Sequence, residues 1–352
     1  MRKKHIPGFL IFLLVLILLI GLVVGAVYAY YRSKIDLLQP DETFASEDMV
    51  LDPSEEQELN DHSQELNTEM DDIVSGLVTI PPVISDHEVV EDDKVINILL
   101  IGTDDADVGF SANARGDSCI LFSVNTAGDH PVISLVSLER GMGVPILEGQ
   151  YEGQWDWLTH TFRYGGAELM LKEVQHCFKV DVDYYVRVNF YSFITAIDAI
   201  GGVDVELDGA EANYFFSTYD YPAYVGTNHL NGRMALRYAR LRAFDSDWQR
   251  IQRQREILES AINQLRGMSL SDADRLVNEL LPLVRTNLTE EVITELLFLL
   301  PSLPQATVQQ MTIPQAGTYG GMIGMGGRSL FSVDFQANSE ILHEFLYGSE
   351  TE

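Results

Sequence analysis

The longest apolar run of the chain lies near its start, over residues 6–31, and contains no charged side chain. About 20 apolar residues are enough to cross a bilayer, and the apolar core of a cleaved signal peptide is usually only about 7–15 residues long. The run therefore predicts an uncleaved transmembrane signal anchor, with a removed signal peptide as the alternative. Basic side chains among residues 1–5 predict a cytoplasmic tail. We expect a single-pass protein of the cell membrane whose C-terminal domain is extracellular.

From residue 94 onward the pattern changes to short apolar runs of the kind found in buried strands. Residues 94–101, 118–124 and 132–138 each form such a run. A tight turn over residues 126–131 predicts that the second and third strands pair antiparallel. Helix-like and strand-like segments then alternate over residues 165–207. Strands that alternate with helices predict a layered α/β domain.

The expected strand pairing brings four charged residues to one end of the sheet. The turn places the end of the third strand beside the start of the second, and the loop over residues 102–117 joins the first strand to the second. We therefore expect Asp104, Arg115, Asp117 and Arg140 to lie near one another.

A second set of candidate residues lies in the stretch 237–255, which holds six arginines and no lysine. The period-2 alternation of Leu236–Arg242 predicts a strand with Arg240 and Arg242 on the same face. The two guanidinium groups would then point to one side of the domain.

A helix is expected after this strand, with Ser246 or Asp247 as its N-cap residue. Arg250 and Gln254 are four residues apart, so they lie together along one edge of the apolar stripe of this helix. Arg253 falls on the opposite side, where we expect a surface or salt-bridge residue.

The net charge of −30 limits the classes of partner. Residues 36–93 contain nineteen Asp or Glu side chains and no Lys or Arg, which predicts a solvated extracellular stalk over residues 32–93. The remaining domain, over residues 94–348, is also acidic, whereas nucleic-acid-binding domains are normally basic. We therefore expect no nucleic-acid partner, and the arginines need another explanation.

A phosphate-binding role explains why the cluster contains arginine alone. A guanidinium keeps its charge at ordinary pH and donates two parallel hydrogen bonds to phosphate oxygens. Mg²⁺ binds one or two protein carboxylates together with phosphate and water, so Asp104 and Asp117 suit the other side of such a group. The two sets together predict a pyrophosphate clamp for phosphoryl transfer. The alternative is that the arginines pair with the abundant carboxylates of the chain itself.

The two cysteines, Cys119 and Cys177, stand in strand-like and helix-like apolar runs. Two buried free thiols are favoured over a disulfide. The eight histidines lack metal-ligand spacing, and no Walker A or GxSxG motif stands between a strand and a helix. The arginines and aspartates are therefore the candidate functional residues.

Eight blocks of residues resemble, in their order, those of LytR-CpsA-Psr proteins. They are INILLIGTDD (96–105), RGDS (115–118), SLERG (137–141), THTFRYGG (159–166), DYYVRVNF (183–190), IDAIGGVDV (197–205), HLNGRMALRYARLR (229–242) and DWQRIQRQ (247–254). The resemblance spans about residues 94–348 and implies a three-layer α/β/α sandwich with a mixed central sheet and a hydrophobic tunnel for a polyprenyl chain. The implied activity transfers a glycopolymer, such as teichoic acid or capsule, from a polyprenyl pyrophosphate carrier to peptidoglycan through a phosphodiester bond.

The resemblance also implies roles for individual residues. Asp104 and Asp117 match magnesium ligands, with Mn²⁺ as an alternative metal. Arg115 and Arg140 match arginines near the reacting phosphate, and Asp247 matches an aspartate with an acid–base or orienting role. The remaining pyrophosphate contacts match Arg240, Arg242, Arg250 and Gln254.

The chain departs from the family pattern at Gly141, where an aspartate is usual, and at Thr159, where an asparagine is usual. The missing carboxylate would lower the activity or shift its role to Glu139 or Asp105. Two alternatives to transfer stay open: a non-catalytic wall protein that binds polyprenyl phosphate, and a pyrophosphatase with water as the acceptor. The aromatic stretch, residues 214–224, either stacks on sugar rings or packs its own rings.

Overall fold

The computed structural model describes residues 68, 70–105, 110, 114–241, 247–266 and 268–348. The cytoplasmic tail, the expected anchor and the first part of the expected stalk lie outside these ranges. No helix within the described ranges has the length and apolar character that a membrane span requires. The anchor over residues 6–31 therefore stays a prediction.

Strands and helices alternate over most of the described chain. The strands are β1 (Val95–Thr103), β2 (Gly116–Asn125), β3 (Val132–Leu138), β4 (Gly143–Pro145), β5 (Trp155–Trp157), β6 (Tyr184–Val188), β7 (Val203–Leu207), β8 (Gly226–Leu230), β9 (Arg285–Thr286), β10 (Thr307–Ile313), β11 (Tyr319–Ile323) and β12 (Ser329–Val333). The α-helices are α1 (Leu158–Phe178), α2 (Phe190–Ala199), α3 (Gly209–Tyr219), α4 (Gly232–Ala239), α5 (Asp247–Leu265), α6 (Leu270–Leu280), α7 (Glu290–Leu299) and α8 (Phe335–Tyr347). This order confirms the α/β class.

Six strands form one mixed sheet in the order β10-β3-β2-β1-β6-β9. β1, β2 and β3 pair antiparallel as neighbours, while β6 lies parallel to β1 and β10 lies parallel to β3. Thr103 pairs with Gly116, and Cys119 pairs with Leu138. The end of β1, the start of β2 and the end of β3 therefore meet at one end of the sheet, as the turn pattern predicted.

Both faces of this sheet are buried, because alternate residues of a strand point to opposite sides. On one face Leu99 packs in a core with helices α1 and α8. Cys119 and Cys177 lie in the same core as free thiols, as predicted. On the other face Ile98 packs with α7 and Leu135 packs with α5. Helices on both sides make a three-layer α/β/α sandwich.

A second core joins the β7–β8 hairpin to helices α2, α3, α4 and α5. Val203, Phe215 and Leu230 are fully buried in it. Asn189 and Asp208 begin α2 and α3 with capping boxes, in which each side chain accepts a hydrogen bond from the third residue of its helix. This core positions the arginines that α4 and α5 carry.

The strand predicted over residues 236–242 is wrong, because most of these residues belong to helix α4. Asn231 caps the helix by accepting a hydrogen bond from the backbone N–H of Met234. The alternation covered too few residues to distinguish a strand period from a helix period. Arg240 therefore occupies the C-cap of a helix rather than a strand face, and Arg242 lies outside the described residues.

The other predicted elements of this region are present as α1, β6, α2, β7 and α5. Helix α1 begins at Leu158, ahead of the predicted start at Gly165, and it bends at Gly165 and Gly166. Gly166 has a φ of 69°, in the left-handed region that favours glycine. The bend interrupts the helical periodicity, so the pattern indicated only the second half of the helix.

Part of the segment predicted as a stalk packs against the domain. Residues 70–74 are helical, and Met70 and Val74 belong to the core beneath α1 and α8. Val90 then forms an isolated bridge to Val180. The acidic composition predicted solvation for this stretch, but its spaced apolar residues bind it to the domain.

Candidate functional site

One guanidinium joins two carboxylates at the end of the sheet where β1 and β2 meet. Arg115 donates from Nε and Nη2 to Oδ2 of Asp104, at 3.0 and 2.9 Å. Its Nη2 also lies 3.3 Å from Oδ2 of Asp117, and its backbone N–H donates to Oδ1 of Asp104. The strand pairing therefore brings these three side chains together, as predicted.

The two carboxylates suit a hard divalent cation that shares its shell with a substrate. No group of three or more His, Cys, Asp or Glu side chains in the described ranges could hold a metal by itself. Mg²⁺ needs only one or two carboxylates when phosphate and water complete its shell, and Asp104 and Asp117 already converge on Arg115. Thr159 donates to the other oxygen of Asp117, at 3.3 Å. This donor set fits Mg²⁺ bound together with a phosphate.

Arg140 lies in the turn after β3, at the same end of the sheet. Leu138 at the end of β3 pairs with Cys119 of β2, which determines where the turn stands. Arg140 is only 3% exposed, and its carbonyl oxygen accepts a hydrogen bond from the Thr159 N–H at 3.4 Å. The register thus places Arg140 beside the start of β2, as the topology predicted.

A side chain at the position after Arg140 would require the end of Met70 to shift. A Cβ atom at Gly141 would lie 2.7 Å from Sδ and 2.8 Å from Cε of Met70, and 3.0 Å from Oε2 of Glu139. The same Glu139 oxygen accepts a hydrogen bond from the Gly141 N–H at 2.5 Å. Met70, from the segment ahead of the domain, therefore occupies the space that an aspartate at position 141 would need.

We expect Gly141→Ala to destabilise the protein by about 1–3 kcal/mol, because overpacking a buried position has roughly that effect. Met70→Ala should make this substitution less unfavourable, since it removes the Sδ and Cε atoms. Urea unfolding of both single variants and the double variant measures the coupling. Gly128→Ala is the matched control, because a Cβ there would have no neighbour closer than 3.7 Å. If the two substitutions changed the free energy of unfolding in a purely additive way, the expected clash between Met70 and a side chain at position 141 would be contradicted.

A cavity of about 870 Å³ opens at this end of the sheet. Residues of β1 and β2 form one wall, and residues of α2, α3, α4 and α5 form the others. Its apolar lining includes Leu100, Ile120, Phe193, Ile194, Leu236 and Leu258. Four predicted site residues line the same cavity, namely Asp117, Arg240, Arg250 and Gln254. The cavity lining therefore combines apolar residues with charged ones, and the arginines that α4, its C-cap and α5 contribute are called its charged wall below.

Helix α5 contributes Arg250 and Gln254 from one edge, as predicted. Arg250 is 3% exposed. Gln254 accepts a hydrogen bond from Ser118 Oγ at 2.9 Å, and its Nε2 donates to the carbonyl oxygen of Ala239 at 3.5 Å. These bonds hold Gln254 between β2 and the end of α4. Asp247 begins the helix, and its side chain lies outside the described part of the structure.

Arg253 is buried rather than exposed on the surface. It is 5% exposed, its Nε donates to Oε1 of Glu211 at 2.8 Å, and its Nη1 donates to the carbonyl oxygen of Leu241 at 3.0 Å. The predicted salt bridge is confirmed. The predicted surface location is wrong, because Glu211 of α3 covers this side of α5.

Two arginines that the sequence pattern did not single out also line the cavity. Arg233, Arg237 and Arg240 share one face of α4 and its C-cap, since residues four and seven apart lie on the same side of a helix. Cζ of Arg237 lies 3.9 Å from the ring centroid of Tyr219, and Cζ of Arg240 lies 4.3 Å from that of Phe190. Because the segment was predicted as a strand, the shared face of these three arginines was missed. A helical period would have placed them on one side.

Among the described residues, no ion pair joins Arg233, Arg237 or Arg240 to a carboxylate. Arg115 and Arg253 do form ion pairs with carboxylates, so the alternative that arginines neutralise the chain's own carboxylates holds for those two. Three guanidinium groups on one face suit an anion, in a chain of net charge −30.

The aromatic stretch packs its own rings, one of the two expectations for it. Tyr219 contacts Tyr214 and Phe215 edge-on, with ring centroids 5.7 Å apart in both pairs. Much of the stretch belongs to helix α3 rather than to a loop. Tyr214 and Tyr219 also line the cavity, and stacking on sugar rings stays a prediction.

A buried polar network that was not predicted lies behind Thr159. Oδ2 of Asp156 accepts hydrogen bonds from Tyr164 and Arg328 and lies 3.0 Å from Nδ1 of His160. Burial raises the pKa of Asp156, but His160 and Arg328 outweigh this effect and hold that pKa below its ordinary value. Because these residues flank the start of α1, the network anchors the helix that carries Thr159.

Comparison with known sequences identifies a family. The model of the LytR_cpsA_psr family matches residues 53–344. A curated relative, the polyisoprenyl-teichoic acid–peptidoglycan teichoic acid transferase TagU of Enterococcus faecalis, is 30% identical over 196 residues, which are 55% of this chain and 61% of the relative. The chain thus covers less than two thirds of the length of that relative.

Solved structures share the fold. Protein gbs0355 of Streptococcus agalactiae is 23% identical, with a TM-score of 0.60 over 76% of this chain and 93% of that chain. A structure of TagT bound to LIIa-WTA is 25% identical, with a TM-score of 0.57 over 76% of this chain and 100% of that chain. Both likenesses support the α/β fold with a mixed central sheet.

Proposed function

This chain belongs to the LytR_cpsA_psr family, and we propose on that premise that it is a membrane-anchored phosphotransferase of cell wall assembly. The transferred group is a glycopolymer, the donor is its polyprenyl pyrophosphate carrier, and the acceptor is peptidoglycan. The names of the relatives support teichoic acid as the class of polymer. The anchor expected over residues 6–31 would hold the domain at the outer face of the cell membrane.

The observation that carries this proposal is the mixed lining of one cavity. Apolar lining residues such as Leu100, Ile120 and Phe193 suit an isoprenoid chain. Arg240 and Arg250 suit a diphosphate, because guanidinium groups bind phosphate oxygens in pairs. A polyprenyl pyrophosphate has both parts and would satisfy both kinds of lining residue at once.

The proposed reaction exchanges one phosphorus–oxygen bond for another. The hydroxyl oxygen of the acceptor bonds to the phosphorus that carries the glycan, and the bond from that phosphorus to the bridging oxygen breaks. Arg115 and Arg140 would neutralise the phosphate that keeps the glycan, although neither is among the described residues that line the cavity. Arg240 and Arg250 would bind the departing polyprenyl phosphate. Such groups act by stabilising the charge of the transition state.

Mg²⁺ would be held by Asp104 and Asp117, with Mn²⁺ as the alternative. When bound, the ion supplies Lewis-acid neutralisation of the phosphate charge. Arg115 already bridges the same two carboxylates, so its guanidinium would add positive charge beside the residues that would hold the ion. This arrangement agrees with the need for substrate phosphate to complete the metal shell.

The acceptor proton requires a base. Asp247 is the residue that we propose for an acid–base or orienting role. The two other candidates are engaged elsewhere: Glu139 accepts a hydrogen bond from Gly141, and Oδ2 of Asp105 lies 3.6 Å from Nη2 of the fully buried Arg187. These contacts make Glu139 and Asp105 less suitable as bases.

The detergent-purified full-length protein tests the proposal. We expect it to co-purify with a phosphorylated or pyrophosphorylated polyprenol, detected by mass spectrometry. We also expect it to transfer a polyprenyl-linked teichoic acid to peptidoglycan fragments when Mg²⁺ is present and to stop when EDTA is added. A protein with neither bound lipid nor transfer would contradict the function.

A second candidate function rests on Gly141, which provides no carboxylate at this position. Met70 fills the space that an aspartate there would need. A non-catalytic wall protein would bind polyprenyl phosphate in the same cavity without turnover. Bound lipid without Mg²⁺-dependent transfer, beside an active relative in the same assay, would identify this function. Release of the glycan phosphate into water would instead identify a pyrophosphatase.

A further inference from the structure

The charged wall of the cavity extends beyond the residues that one diphosphate needs. Arg240, Arg250 and Gln254 already line the cavity, and Gln254 accepts a hydrogen bond from Ser118. Along α4, Arg237 and Arg233 lie about 4.5 and 10.5 Å from Arg240, given a rise of about 1.5 Å per residue. A diphosphate is too short to occupy the whole of this row.

Arg237 is held in position by an aromatic platform. Its Cζ lies 3.9 Å from the ring centroid of Tyr219, and Tyr214 and Phe215 hold that ring edge-on. A stacked guanidinium uses its flat face for the ring and keeps its N–H edge for hydrogen bonds. No described residue accepts a hydrogen bond from Arg237. The stacked side chain therefore lines the cavity with N–H donors that no described residue uses.

We propose that Arg233, Arg237 and Tyr219 form a second anion subsite, separate from the diphosphate site. The subsite binds an anionic group of the glycopolymer itself, a phosphodiester or a carboxylate, and it rests on the proposed function only for the origin of that polymer. Arginines whose backbone positions extend over about 10 Å of helix, from the diphosphate site at Arg240 to Arg233, match a chain that carries anions at intervals. A single pyrophosphate would leave the outer two arginines without a ligand.

The subsite also explains the position of the aromatic stretch. Tyr219 ends α3, and its ring joins that helix to α4 through Arg237. An arginine stacked on an aromatic ring loses less freedom when it binds an oxyanion than a mobile side chain does. The aromatic stretch thus acts on the polymer through the arginine that it orients.

Two probes separate the subsite from the diphosphate site. Farnesyl diphosphate carries an apolar tail and one diphosphate, whereas a short glycerol phosphate oligomer carries repeated phosphodiesters and no tail. Isothermal titration of the full-length protein with each probe gives two affinities. We expect Arg233→Gln and Arg237→Gln to weaken oligomer binding by about 10-fold or more, the usual effect of losing a charged hydrogen bond. Both variants should leave farnesyl diphosphate binding within about twofold of wild type.

Matched variants make the test specific. Arg275→Gln should change neither affinity, because Arg275 is exposed and pairs with Asp272. Arg240→Gln should weaken farnesyl diphosphate binding. Tyr219→Leu should weaken oligomer binding, while Tyr219→Phe should preserve it because phenylalanine keeps the ring. An oligogalacturonate measured beside the oligomer identifies the anion, since the chain that binds more tightly carries the preferred group.

Three outcomes would overturn the subsite. They are unchanged oligomer binding in the Arg233→Gln/Arg237→Gln double variant, an equal loss of farnesyl diphosphate affinity in Arg237→Gln, and equal binding of a neutral maltooligosaccharide. Failure of the wild-type protein to bind farnesyl diphosphate, with oligomer binding intact, would count against the proposed function and support the subsite.

Discussion

Replacement of Arg240 by alanine is expected to lower the rate of glycopolymer transfer by about 100- to 1000-fold, the usual effect of removing one group that stabilises transition-state charge. Arg240 ends α4 at the cavity wall, stacked over Phe190, next to Ala239, which accepts a hydrogen bond from Gln254. Within the described ranges no ion pair joins Arg240 to a carboxylate, and its guanidinium lines the cavity. The rate of transfer to peptidoglycan at saturating donor measures the effect.

Two further variants show which property of Arg240 matters. Arg240→Lys keeps the charge but loses the planar pair of donors, so we expect a rate between those of the wild type and the alanine variant. Arg275→Ala removes an exposed arginine far along the chain and should leave the rate unchanged. If Arg240→Ala transferred within about threefold of wild type, the charged wall would not be the diphosphate site.

The cluster of Asp104, Arg115 and Asp117 could be predicted because it depends on pairing between neighbouring strands. Two apolar runs and a tight turn determine the order of β1, β2 and β3, and the side chains at their ends follow from that order. The hydrogen bonds from Arg115 could not be predicted, since they require side-chain positions. The pairing of neighbouring strands can thus be predicted from the sequence, but the hydrogen bonds between their side chains cannot.

The α4 wall could not be predicted from the same kind of pattern. Its alternating residues are compatible with both periods over so short a run, and the deciding signal is the cap at Asn231, upstream of the alternation. Arg233 and Arg237 were missed for this reason alone. Once the segment is treated as a helix, the spacing of Arg233, Arg237 and Arg240 places them on one face without further information.

Contacts between distant segments leave no such signal. Met70 is one apolar residue in an acidic stretch, and Gly141 is one glycine in a turn. In the fold, however, the side chain of Met70 fills the space that Gly141 leaves empty. Asp156 and Arg328 are likewise ordinary charged residues until the fold buries them together. Residue types that are common everywhere acquire a role only through the partner that tertiary packing supplies.

Glu173 should make the stability of the fold depend on pH. This side chain is fully buried in α1, and among the described residues the Leu147 N–H donates to it at 2.9 Å. Burial raises the pKa of Glu173 from its ordinary 4.5 to about 8; nearby Glu148 adds to this and the Leu147 hydrogen bond opposes it. The folded protein therefore keeps a proton that the unfolded chain releases. Its contribution to stability is complete below pH 4.5 and is lost as the pH rises through about 8.

Glu173→Gln should remove this decline, because the amide still accepts the hydrogen bond from Leu147 but cannot ionise. Between about pH 5 and pH 9 the free energy of unfolding of the variant should gain roughly 4 kcal/mol relative to that of the wild type. Urea unfolding across this range measures the difference. Glu148→Gln is the matched control, since Glu148 is 40% exposed and pairs with Lys172, and it should leave most of the decline in place. A difference that stays constant with pH would mean that Glu173 ionises as easily in the folded protein as in the unfolded chain, and burial in α1 could not then control its proton.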